Sequence, residues 1–213
     1  MSDFFTLKAL KELNDERRKA LLEEASSRQT EFDKIAHIVI TFLRDYKYDY
    51  SVLKSREEFN NRRQYLMPFE YKGRRYVCGT TRPHDLDKKY GLSLTPSLHS
   101  LKMGTCNSFS TELEWFAKEL GISSKKIDAV ETGYDCYQTV KPENQIRDMF
   151  YSYNIMNLDG REYKIDIAGA LMAVDYKKKH PDSDIDPSNF VFVDSKSKNP
   201  FGEIKQQNIQ MGD

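Results

Sequence analysis

The chain has 213 residues, of which 38% are hydrophobic and 31% charged, a length and balance that suit a soluble domain with a full core and a small appendage. Lys plus Arg and Asp plus Glu both number 33, so the formal charge is zero. A protein that neutralises phosphates carries a basic excess; none is present, and nucleic acid is not expected as a partner. The longest apolar patch, Ile38 to Leu43, is far below the roughly 18 residues of a membrane span. Met1 to Lys8 lacks the basic, apolar and small-residue succession of a signal peptide.

From Leu7 to Ala25 the leucines at 7, 10, 13, 21 and 22 fall near helical spacing among Lys, Arg and Glu. The pattern predicts an amphipathic helix, broken around Asp15 to Arg18, which argues against a coiled coil. Thr30 is placed to cap a second helix over 31–46, whose Ile35, Ile38, Val39, Phe42 and Leu43 share one face. Phe69 to Cys78 reads as two strands around a Lys72-Gly73 turn. Gly79 to Pro96 reads as a loop broken by Pro83, Gly91 and Pro96.

Asn107 to Leu120 is the clearest helix, with Phe109, Leu113, Phe116, Ala117 and Leu120 on one face and Gly121 as its stop. Strands are expected at 127–130, 149–158 and 162–167, with Asp159-Gly160 as a hairpin turn. A short helix over 168–179, a last strand at 190–193 and a polar, mobile tail from Ser195 follow. The expected division is an N-terminal amphipathic helix over 1–30, a main domain over 31–194, and the tail over 195–213. Helices followed by an antiparallel run of strands predict an α+β fold.

Cys78, Cys106 and Cys136 have no metal-ligand spacing and suit a reducing, cytoplasmic setting. No metal and no other cofactor is expected; Gly104-Thr105-Cys106 also lacks the remaining residues of a phosphate loop. Cys78 and Cys136 read as structural. Cys106 stands where a loop enters the central helix. A helix N-terminus carries partial positive charge and free N–H groups, which favour a thiolate and can hold an oxyanion. The plainer reading of a single cysteine there is a small buried hydrophobe.

The run Gly104-Thr105-Cys106-Asn107-Ser108-Phe109-Ser110, with the helix closing at Leu120-Gly121-Ile122, resembles the cysteine segment of transglutaminase-like domains. Tyr153-Asn154 through Leu158-Asp159-Gly160 to Ile165-Asp166 is similar to the family's histidine strand, turn and aspartate strand. The resemblance spans about residues 31–194. It implies a papain-related α+β fold, with the central helix starting at the cysteine and packed on an antiparallel sheet. It also implies Cys106 as nucleophile and Asp166 as the triad aspartate. The family's histidine position is held by Tyr151. A histidine near pKa 6.5 exchanges protons at neutral pH, whereas a tyrosine near pKa 10 is a poor base there.

Of the four histidines, His37 reads as structural or half-exposed, and His84 and His180 as solvated. His99, upstream of Cys106, is a candidate oxyanion donor, with an exposed loop histidine as the plainer reading. Trp115 reads as packing. Two functions remain open. One is a thiol amide hydrolase or acyltransferase, a protease or deamidase for instance, with a degenerate triad and impaired activity. The other is a pseudoenzyme that binds a protein or peptide. Both take a protein or peptide as substrate or partner.

Overall fold

The computed structural model describes residues 2–50, 65–80, 98–130 and 150–195, with side chains over 8–50, 69–76, 98–126 and 152–195. In chain order the elements are α1 (Ser2–Ser26), α2 (Glu31–Asp45), β1 (Lys47–Tyr48), β2 (Tyr65–Tyr71), β3 (Arg74–Thr80), α3 (Leu98–Leu101) and β4 (Met103–Gly104). Then come α4 (Cys106–Glu119), β5 (Ser124–Val130), β6 (Phe150–Leu158), β7 (Arg161–Ile165), α5 (Ile167–Lys179), a 3-10 turn (Pro187–Phe190) and β8 (Val191–Asp194). The mixture of helices with an antiparallel sheet agrees with the α+β expectation. His84 and Cys136, most of the 79–96 loop and the tail beyond Ser195 lie outside the described residues, as does the Cys78 side chain.

Local chemistry sets the element ends. Thr30 Oγ1 accepts from Asp33 N at 3.0 Å and starts α2. Gly121, at φ +70°, ends α4. The two hairpin turns, Lys72-Gly73 and Asp159-Gly160, carry positive φ at both central residues. That conformation matches the right-handed twist of the strands they join. Strands β5 to β8 form an antiparallel sheet in sequence order, while β2–β3 is a separate hairpin and β1–β4 a short parallel bridge. In β8 the pairing slips next to Phe192, whose φ is +56°. Its ring lies 4.8 Å from Phe32 and 6.1 Å from Tyr163, so the aromatic cluster accompanies a strained backbone position.

The main core lies between α2, α4 and the sheet. Ile35, Ile38, Val39 and Phe42 from α2 meet Phe109, Leu113, Phe116 and Ala117 from α4, all fully buried. Phe42 is central, with ring centroids 4.9 Å from Tyr46 and 5.5 Å from Phe109. On β6 the buried positions are Ser152, Asn154, Met156 and Leu158, the period-2 face that packs on α4. Asn154 Nδ2 donates to Ser110 O at 3.0 Å, tying strand to helix through a buried polar bond. Helix α1 is packed into this body: Leu21 and Ala25 join the main core, while Ala9, Leu10 and Leu13 pack with Phe69 and Tyr71 of the hairpin. No helix among the described residues is long and apolar enough to cross a membrane.

The Asp159 turn has a second task. Its carboxylate accepts from Glu31 N at 3.2 Å and Phe32 N at 3.1 Å, while Glu31 Oε2 accepts from Asp159 N at 2.9 Å. The β6–β7 turn therefore caps α2 from a distance of 128 residues in sequence. Asp159→Ala removes the two carboxylate bonds of this cap, keeps the backbone bond to Glu31, and places a residue without a polar side chain at positive φ. A loss of about 1–3 kcal/mol of stability is expected. Urea denaturation should show a lower midpoint with an unchanged slope.

Candidate functional site around Cys106

The approach to Cys106 is built by close backbone contact. Lys102 turns the chain at φ +52°, and Met103–Gly104 then pairs with Lys47–Tyr48. Asp49 N donates to Gly104 O at 2.8 Å. A Cβ on Gly104 would stand 2.6 Å from Leu98 Cδ1 and 3.0 Å from Ser108 Cβ, so only glycine fits without repacking. Thr105 caps α4, its Oγ1 accepting from Ser108 N at 3.3 Å. Cys106 is thereby the first residue of α4, a thiol outside any disulfide with 7% of its surface exposed.

The sulfur's surroundings oppose one another. Burial pushes the thiol up. The backbone N–H of Ser152, and those of Asn107 and Cys106 itself, favour the thiolate and pull it down. The negative charge of Asp166 pushes it up again. The balance lies above the ordinary cysteine range, so the resting sulfur is a thiol near neutral pH. The position at a helix N-terminus is as the sequence suggests, but low exposure and a nearby carboxylate outweigh its pull toward thiolate.

Asp166 arrives from the other side. It caps α5, with Oδ1 accepting from Gly169 N at 2.8 Å, and its own N–H donates to Phe190 O at 2.8 Å. It is 1% exposed. A Cβ on Gly169 would come within 2.6 Å of both Asp166 Oδ2 and Phe190 Cδ1, so this glycine leaves room for the carboxylate. Two helix N-termini, at Cys106 and at Ile167, thus frame the thiol and the carboxylate.

Tyr151 is on β6, paired with Ala129. The Ser152 amide that faces the sulfur belongs to the peptide group joining Tyr151 to Ser152, so the backbone at this position reaches the thiol. The Tyr151 side chain is outside the described residues.

His99 differs from the exposed loop histidine considered above. It lies in α3 and is fully buried. Its Nδ1 is 2.7 Å from Tyr46 Oη, and its Nε2 is 2.9 Å from Glu112 Oε1. An ionised carboxylate only accepts, so Nε2 carries a proton and Nδ1 is left for the tyrosine hydroxyl. Burial pushes the Tyr46 phenol well above its ordinary range and keeps that hydroxyl protonated. Both ring nitrogens are therefore engaged away from solvent. Glu112, 1% exposed, also pairs with Arg18 of α1. Glu112 is not among the residues that the motifs single out. Its signal was present: it occupies the apolar stripe Phe109, Glu112, Leu113, Phe116, where a charge requires a buried partner.

His37 is part-exposed and bonds Glu24 at 3.0 Å, and His180 ends α5 against Tyr176. Trp115 is covered by the Arg18 guanidinium at 3.4 Å. Among the described residues, no group of three or more His, Cys, Asp or Glu is gathered to hold a metal.

The Asp166 charge gives a sign-specific prediction. In a working triad, neutralising the aspartate weakens the nucleophile. Here the carboxylate disfavours the neighbouring thiolate, and Asn can still cap α5. Asp166→Asn should therefore lower the pH at which Cys106 becomes reactive and speed its alkylation near pH 8, read by peptide mass spectrometry.

No protein-family model matches the chain, and no curated protein does. A solved structure titled "Crystal structure of a TGase" is similar at 16% identity with a TM-score of 0.43. The match covers 88% of this chain and 41% of that one, so the chain spans about two fifths of that protein's length.

Proposed function

We propose that this chain is a transglutaminase-like domain of the thiol amide-hydrolase type with a degenerate triad. Cys106 holds the nucleophile position, Asp166 the aspartate position, and Tyr151 the place of the base. The reading rests on one observation above the others. Cys106 opens a helix, with backbone donors facing its sulfur, within electrostatic reach of a buried carboxylate on a second helix N-terminus.

The same surroundings support impaired chemistry. Attack on an amide needs a thiolate, then a proton for the leaving amine. The raised Cys106 pKa works against the first requirement. A tyrosine in place of histidine adds to the obstacle, because it is a poor base for the thiol proton at neutral pH. Any turnover would depend on another base or on alkaline conditions.

A second reading is favoured by the 7% exposure of Cys106. A shielded, protonated thiol suits a pseudoenzyme whose former cleft binds a protein or peptide. Fold alone does not choose between the two.

Restoring the base separates them. Wild-type Cys106 should alkylate slowly at neutral pH and accelerate only in alkali. Tyr151→His should shift that onset toward neutrality and create hydrolysis of an activated ester such as 4-nitrophenyl acetate, lost again when Cys106→Ala is added. Rapid neutral alkylation of the wild type would overturn the impaired-thiol reading. An inert Tyr151→His variant would favour the binding module.

A further inference from the structure

We infer that α1 is an intramolecular clamp on the segment that delivers Cys106, and that Arg17 is its principal positioning residue. The inference takes from the proposed function only that Cys106 is the thiol of the site.

Leu98–Leu101 is a single helical turn, too short to satisfy its own backbone groups, yet Leu98, His99 and Ser100 are all buried. Side chains of α1 supply the missing partners. Asn14 Oδ1 accepts from His99 N at 3.0 Å. Arg17 Nη1 donates to His99 O and to Ser100 O, both at 2.9 Å. Arg18, next along, pairs with Glu112 and lies over Trp115. Positions 14, 17 and 18 follow the i, i+3, i+4 spacing and lie on one face of α1. This polar face interrupts the helix's apolar pattern where Leu13 gives way to Asp15–Arg18.

From α3 the hold passes directly to the thiol. Lys102 turns, Met103–Gly104 locks to β1, Thr105 caps, and Cys106 follows. Leu98 itself fills the space against Gly104. Loosening α3 therefore loosens the 102–105 segment that leads into α4 and sets the placement of Cys106. An element that would otherwise be an appendage sets how accessible the thiol is.

The test uses the full chain. Arg17→Ala should raise hydrogen exchange over residues 98–104 by about tenfold, the scale of losing two buried hydrogen bonds. Cys106 alkylation at fixed pH should accelerate by a similar factor, while exchange within β6 and β7 stays unchanged. Arg17→Lys should restore part of the protection. Lys19→Ala, which removes an exposed ion pair within α1, serves as the matched control and should leave 98–104 as in the wild type. Should Arg17→Ala fail to fold, Asn14→Ala removes a single acceptor and should give the same pattern in weaker form. Unchanged exchange over 98–104, or faster exchange without faster alkylation, overturns the clamp. The ratio of variant to wild-type alkylation reads the clamp, whereas the wild-type pH profile reads the impaired-thiol proposal, so the two fail separately.

Discussion

A carboxylate buried at 1% exposure in the middle of the central helix is the constraint on which this fold depends. An isolated charge in such a place costs several kcal/mol, so Glu112 must be paired wherever the chain goes. Its partners come from different elements: His99 from α3 and Arg18 from α1. His99 in turn holds Tyr46 at the end of α2. One ion thereby fixes four helices relative to one another, with a specificity that Phe42, Phe109 and Phe116 alone do not impose. Apolar packing is non-directional, whereas a buried pair tolerates only one arrangement.

The thiol sits beside this frame. Its address at a helix N-terminus is favourable for a nucleophile, and three backbone donors face the sulfur. Burial and Asp166 move the equilibrium the other way. The electrostatics of a helix end amount to about 1 kcal/mol, and a desolvated sulfur beside a negative charge readily exceeds that. A helix entrance is thus a location at which a reactive cysteine is possible; the surrounding charges decide whether one results.

Local features were legible in the sequence because short-range sterics decide them. Thr30, Gly121, Lys72-Gly73 and Asp159-Gly160 mark their boundaries by capping and positive-φ chemistry that neighbouring residues cannot override. The apolar stripe of α4 and the strands of the hairpin over β6 and β7 follow from periodicity alone. Gly104 was legible as a site of close approach, though what approaches it, Leu98 and Ser108, was not.

The pairing of distant polar groups was left to the tertiary structure. His99 looks like a loop histidine until Tyr46, Glu112 and Asn14 surround it. The break at Asp15–Arg18 reads as a defect in an amphipathic helix until Arg17 and Arg18 meet their partners. Asp159 signals a turn, but its hold on α2 spans 128 residues. By itself the sequence determined the longer helices, the hairpin turns and the address of Cys106, because each depends on a few adjacent residues. Only the tertiary structure decided the protonation of that thiol and the role of α1, because both depend on charges and hydrogen bonds brought together from elements far apart in the chain.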